Sequence, residues 1–328
     1  MVANTVGRAV SHRPFTGPRS AIESSPMNRR FFLGGMAASP LLGDTELVLD
    51  RPQTNRPHQG KVFAAVQPHS DDLPIFAAGL VAKLVAEGYT GYLIRTTNDE
   101  AAGPGTIGEC VAANERDNFA VARALGLAKV YDLYHRNHRM DGEERLEMRA
   151  RLIFLFRLLK VDTVIGYDPW GHYEENPDHY VTASAVEAAC WMAGGSKDYP
   201  EHFDAGLAAH AVAEKYYFAR GPQLVNRIVD ISHVIEKKID VNLVNVAQGP
   251  AGQNGALLRQ SLAAKGLRLP LLGNDDATAN RNYIREFVLG ANRELGQKHG
   301  FEYAEAYHYI GPSPDPVAEY VTKNAVPV

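Results

Sequence analysis

Cysteine is scarce in this chain: Cys110 and Cys190 are the only two among 328 residues, and they lie far apart with no CxxC spacing. That count excludes a disulfide framework and a sulfur-ligated zinc site, leaving room for one bridge at most. Charge of one sign is also missing, with 34 basic residues against 38 acidic ones. No global field then favours nucleic acid or an anionic membrane, and a neutral small molecule is the expected partner. Long apolar runs are absent too. The stretch from Phe31 to Gly43 falls well short of the roughly 20 residues needed to span a bilayer, so no stable membrane span is expected. No GxGxxG follows the first strand, and Gly103-Pro104-Gly105 lacks the Gly-Lys-Ser/Thr ending of a phosphate loop.

What is present suits a packed enzyme-sized domain. The composition, 45% hydrophobic and 22% charged, supplies a substantial core. The first 58 residues read as an extension. Within it, Met27-Asn28-Arg29-Arg30-Phe31-Phe32-Leu33 opens a segment, 27–43, that resembles a twin-arginine export signal, with Met27 as the expected start of translation. Export to the periplasm or cell exterior is the expectation, and a basic tail on a cytoplasmic enzyme is the alternative. Residues 44–58 read as a linker and 59–328 as one domain.

From Lys61 onward strand and helix patterns alternate. Strands are expected at 61–66, 89–96, 129–134 and 163–167, with helices at about 75–87, 110–125 and 143–159, closed in two cases by Gly88 and Gly126. Such alternation implies an α/β, Rossmann-like fold: a mostly parallel sheet of order 3-2-1-4-5 with helices on both faces. Further on, strands are expected at 213–219 and 223–230, a helix at 232–245 capped by Ser232, loops and a short helix over 249–274, and a long helix at 279–298.

Chemistry concentrates at the ends of the first and fourth strands. The run Val62 to Val66 leads into Gln67-Pro68-His69-Ser70-Asp71-Asp72, and the fourth strand is followed by Asn176-Pro177-Asp178-His179. In a doubly wound sheet these two ends flank the crevice where the strand order reverses. His69 and Asp72, three apart at the start of a helix, can face one point while Asp71 points elsewhere. His179 would complete three ligands with an open position, the pattern of a hydrolytic Zn2+ site, and Asp71 is assigned as general base. Each fragment also has a structural reading. Asp71 and Asp72 can cap the helix near Pro74, and Asp178 can cap the helix that carries His179.

Pro-His-x-Asp-Asp, the helix from Glu115-Arg116 to Leu125-Gly126, and Pro-Asp-His together resemble the PIG-L/LmbE-type zinc N-deacetylase family, over roughly residues 60–310. The resemblance implies that His69, Asp72 and His179 hold zinc, that Asp71 is the base, and that the substrate is an N-acetylated amino sugar or related N-acyl compound. Asp230-Ile231-Ser232 with Lys237 or Lys238 and Gln248 is similar to a late element of the family. One departure stands out: many members read His-Pro-Asp-His, and here Asn176 replaces the first His, which stabilises the charged intermediate. Asn176 itself or His172, four residues earlier, is expected to take over that task. Asn98, Asp99, Glu100, Trp170, Tyr173, Glu305, Tyr307 and His308 are weaker candidates for contact with substrate. The alternative to an enzyme is a catalytically weakened metal- and carbohydrate-binding protein on the same fold.

Overall fold

Apolar runs buried on both faces build the centre of the sheet. The strands Val62–Gln67 and Thr163–Tyr167 are buried almost end to end, as parallel strands covered by helices on both sides must be. The computed structural model describes residues 46–142, 145–312 and 315–327. The export signal expected at 27–43 lies outside the described residues.

In chain order the strands are β1 (Val48–Asp50), β2 (Val62–Gln67), β3 (Thr90–Thr97), β4 (Lys129–His135), β5 (Thr163–Tyr167), β6 (Glu214–Phe218), β7 (Arg227–Asp230) and β8 (Ala304–Ile310). The helices are α1 (Asp72–Phe76), α2 (Ala78–Ala86), α3 (Ile107–Leu125), α4 (Arg145–Leu159), α5 (Pro177–Ala193), α6 (Glu201–Asp204), α7 (Ile235–Val244), α8 (Asn254–Ala263), α9 (Asp276–Tyr283), α10 (Gly290–Lys298) and α11 (Pro316–Asn324). The strands form one eight-stranded sheet of order β1-β7-β8-β6-β5-β2-β3-β4. Only β8 runs antiparallel, to both β6 and β7. The segment β4-β3-β2-β5-β6 is the expected order 3-2-1-4-5. Leu80, Val121 and Ile239 pack in the layer formed by α2, α3 and α7, while Leu152, Phe156 and Val186 pack in a second layer under α4 and α5. Among the described residues no helix is long and apolar enough to cross a membrane.

Four expectations change. The linker at 44–58 contributes, in its described part, the edge strand β1, which pairs parallel with β7. Ser232 does not cap a helix: its Oγ donates to Asp230 Oδ1 at 2.6 Å and accepts from the N–H groups of Glu302 and Tyr303, and α7 begins only at Ile235. The long helix expected at 279–298 starts earlier, capped by Asp275, and a wide π turn over Ile284–Val288 divides it into α9 and α10. The helix after β2 starts at Asp72 and breaks at Ala77.

That last break has a physical cause. The final carbonyls of α1 are taken by side chains rather than by a continuing helix: Asn242 Nδ2 donates to Pro74 O, Lys238 Nζ to Ile75 O and Tyr307 Oη to Phe76 O. The free N–H groups opening α2, on Gly79 and Leu80, donate to the two oxygens of Glu305 at 2.9 and 2.7 Å. Gly79 is required for that approach, because a Cβ there would lie 2.8 Å from Glu305 Oε1. Glu305 also pairs with the fully buried Lys238 at 2.5 Å.

This arrangement predicts a severe defect when one partner is removed. Lys238→Ala leaves the Glu305 carboxylate buried without its cation, and a loss of about 3–5 kcal/mol in unfolding free energy is expected from denaturant titration.

Candidate metal centre

Three connections converge at the carboxyl ends of β2, β3 and β5. The turn after β2 is tied down on several sides: Ser70 N donates to Asp99 Oδ2, Asn245 Nδ2 to Ser70 O, and Gln248 Nε2 to Ser70 Oγ. Asp99 is itself held by the fully buried Arg95, which also binds Asp132. At the end of β5, Asn176 Oδ1 accepts from Asp178 N at 3.0 Å and Pro177 occupies the first turn, so α5 begins there. Asn176 is thus the cap expected of Asp178.

The three expected ligands come together. His69 Nδ1 lies 3.0 Å from His179 Nε2 and 3.4 Å from Asp72 Oδ2, and His179 Nε2 lies 3.6 Å from Asp72 Oδ1. Ligands about 2.0–2.1 Å from a tetrahedral zinc ion are separated by about 3.4 Å; the two imidazoles approach different oxygens of Asp72 at that range, and one donor atom from each of the three residues lies within 4.8 Å of the others, close enough to close on one ion. The outer nitrogens face carboxylates. His69 Nε2 lies 3.0 Å from Asp178 Oδ2, and His179 Nδ1 lies 3.1 Å from Glu174 Oε2. The two inner nitrogens meet beside the Asp72 carboxylate, where a shared proton or a cation can lie between them. The residues fit a divalent metal. Tyr167 supports both sides: its ring stacks on His179 with centroids 4.2 Å apart, and its hydroxyl donates to Asp72 Oδ1 at 2.7 Å.

Electrostatics agree with that geometry. Burial opposes charge on His69, yet the Asp178 and Asp72 carboxylates hold its imidazole pKa well above the usual histidine value. Burial, reinforced by the neighbouring Asp72 charge, pushes the Asp71 carboxyl up to about 7. Asp71 precedes α1 but its side chain makes no capping bond. Contrary to expectation it does not point elsewhere: it lines the same cavity of about 280 Å³ as His69, Asp72 and His179. Gly249, at φ +84°, leaves room for it, since a Cβ at 249 would sit 3.0 Å from Asp71 Cβ.

Other expected residues lie elsewhere. His172 is exposed and Asn176 lines the cavity, whereas the cavity wall does not include His172. Asp99 is buried in its ion pair, Tyr173 is 87% exposed, Trp170 packs near His308, and Glu305 and Tyr307 serve the α1–α2 break. Cys110 and Cys190 are both buried and unpaired. Asn137, His138 and Arg220 line the cavity without having been foreseen. They sit in connections after β4 and β6 whose sequences carry no motif.

Residues 64–190 match the PIG-L family, described as GlcNAc-PI de-N-acetylase. The chain carries a PIG-L family domain. The matched stretch contains His69, Asp71, Asp72 and His179, and is shorter than the resemblance over 60–310. A diacetylchitobiose deacetylase of Thermococcus kodakarensis is 27% identical over 223 residues, 65% of this chain and 78% of the relative. Among solved structures, an N,N'-diacetylchitobiose deacetylase of Pyrococcus horikoshii is similar with TM-score 0.61 and 22% identity, covering 79% of this chain and 87% of that one. GalB, a 4-carboxy-2-hydroxymuconate hydratase of Pseudomonas putida, shares the fold with TM-score 0.56 and 17% identity, covering 78% of this chain and 98% of that one.

The PIG-L domain with this donor set is expected to bind one divalent cation per chain. Elemental analysis should find it in the wild type and not in His69→Ala or His179→Ala. At free metal 100-fold above the dissociation constant, binding adds about 2.7 kcal/mol of stability, so a chelator should lower the melting temperature of the wild type alone.

Proposed function

We propose that the protein is a metal-dependent N-deacetylase that hydrolyses the N-acetyl group of an amino sugar, with Zn2+ held by His69, Asp72 and His179. The observation that carries this reading is the uncommitted carboxylate of Asp71, set in the same cavity as His69, Asp72 and His179, whose donor atoms lie within reach of one cation. When bound, the cation supplies Lewis acidity and lowers the pKa of a coordinated water to about 7.

The chain's own residues do the rest. Asp71 takes a proton from the attacking water, then returns it to the nitrogen as the C–N bond breaks, releasing acetate and a free amine. Asp178 holds the His69 imidazole by a hydrogen bond, Glu174 lies beside that of His179, and Ile75 and Phe76 supply apolar wall beside them. A cavity of about 280 Å³ is at the small end for ligand pockets. That size suits an acetamido group on a sugar ring, and the resemblance to diacetylchitobiose deacetylases favours N-acetylglucosamine units. Asn176, standing where many family members have His, favours a second reading as a metal- and carbohydrate-binding protein. Such a protein has no use for the spare Asp71 carboxylate.

Two measurements on N,N'-diacetylchitobiose test the reading. Asp71→Asn should retain metal and lose roughly 10²–10⁴-fold in turnover; wild-type rates would move the base elsewhere. The base acts only when deprotonated, so activity should rise with pH through the Asp71 pKa. That value is about 7 without metal and lower beside a cation. The acidic limb of kcat/KM should therefore lie below about pH 7 and vanish in Asp71→Asn.

We also propose export through the twin-arginine route, read from Arg29 and Arg30. Replacing both by Lys should retain the protein in the cytoplasm, and unchanged fractionation would favour the basic-tail alternative.

A further inference from the structure

Position 176 lacks the imidazole of the usual motif, but another imidazole faces the cavity. His138, in the connection between β4 and α4, lines the cavity with the ligands His69 and His179 and with Asp71. Its ring stands edge-on to that of His69, with centroids 6.3 Å apart and an interplanar angle of 72°. Its backbone is held in the left-handed region at φ +57°, a conformation that costs a non-glycine residue about 1–3 kcal/mol and persists only when surroundings enforce it. The enforcing group is Asp178. Its Oδ2 accepts from His138 N at 2.7 Å, from Asn137 Nδ2 at 2.7 Å and from His69 Nε2 at 3.0 Å. One carboxylate therefore aims a metal-ligand imidazole and fixes the turn that presents His138.

The two donors expected from sequence are less well placed. His172, exposed like His138, lies outside the cavity wall that His138 lines. Asn176 has its Oδ1 committed to the first turn of α5, leaving only Nδ2. The imidazole of His138 is exposed on its outer side and makes no hydrogen bond to another described residue; one of its nitrogens lies within 4.8 Å of donor atoms of His69 and Asp178, so the ring is at the site and its N–H is open to a ligand.

We propose that His138 supplies the missing imidazole and donates a hydrogen bond to the acyl oxygen of the substrate as that oxygen becomes an oxyanion. The inference rests on the deacetylase reading. As the water oxygen bonds to the acyl carbon, the carbonyl π electrons move to the acyl oxygen, which accepts from the His138 N–H without proton transfer. When the C–N bond breaks, those electrons re-form the carbonyl, and the proton held by Asp71 goes to the leaving nitrogen. A donor aimed at the oxyanion strengthens its contact in the transition state, so it acts on kcat more than on KM.

The test compares wild type, His138→Ala, His138→Gln and Asn176→Asp, all metal-loaded. It reads metal per chain, kcat and KM on N,N'-diacetylchitobiose, and affinity for a methylphosphonamidate analogue of N-acetylglucosamine, whose tetrahedral phosphorus mimics the intermediate. His138→Ala is expected to keep its metal and lose roughly 10²–10³-fold in kcat. KM should stay within a few fold, and the analogue should bind weaker by a similar factor. His138→Gln, which keeps a donor, should recover part of both losses, while Asn176→Asp, which keeps the cap and removes the donor, should lose less in kcat and in analogue affinity than His138→Ala. Wild-type turnover in His138→Ala beside a large loss in Asn176→Asp would overturn the assignment, as would metal loss in His138→Ala. A metal-loaded wild type inert toward N-acetylated sugars would overturn the deacetylase reading and this inference together, whereas an active wild type with an equally active His138→Ala overturns only the latter.

Discussion

Two buried imidazoles face each other nitrogen to nitrogen at 3.0 Å, each with a carboxylate behind it. Much of the site follows from that constraint. Asp178 engages His69 Nε2 and Glu174 lies beside His179 Nδ1, so the two inner nitrogens converge beside Asp72, where either a proton or a cation can lie between them. Without a cation the local balance is strained toward negative charge, and protons are held where they would otherwise be lost. His69 keeps a raised pKa and Asp71 is pushed up to about 7. A divalent ion at the same point replaces those protons, satisfies both imidazoles and Asp72, and frees Asp71 to ionise.

The sheet supplies this geometry economically. β2 and β5 are adjacent and parallel, and their chains leave in different directions, so the turn after each opens onto one crevice. A single helical turn at the start of α5 then provides two functions from consecutive residues: His179 faces His69 Nδ1, and Asp178 faces His69 Nε2 from the far side. About 100° of rotation between neighbours on a helix makes that division natural. Asn176 and Pro177 are what start the helix there. Asn is among the best N-caps, so the residue at 176 has gained a structural task at the position where the motif usually places a chemical one.

The legible parts of the sequence were those whose cause is local. β2 and β5 are short apolar runs, β3 and β4 mix apolar with polar residues, and Gly126 at φ +72° ends α3 because its conformation suits glycine. His69, Asp72 and His179 were readable because their spacing near strand ends carries the geometry with it. The α1–α2 break was not, since Ala77 is no helix breaker and the groups that enforce the break, Glu305, Lys238 and Tyr307, lie far along the chain. His138 and His172 illustrate the same limit. Both are histidines in polar connections and are equivalent as sequence. What separates them is a backbone φ of +57° and a hydrogen bond to Asp178, and neither leaves a mark in the residues around them.

The fold alone leaves the chemistry open, because a hydratase and a deacetylase both share it. The discriminating feature is how the chain treats Asp71. A carboxylate pressed against Asp72 and denied a helix-cap bond raises the energy of the folded state, and nearby residues could have relieved it. Instead, Gly249 is kept without a side chain so that Asp71 can remain in the cavity. A site built only to hold a metal or a sugar would lower its energy by pairing or removing that group. Retaining it unpaired, with a pKa near neutrality, is advantageous only where a proton must be taken up and given back during turnover.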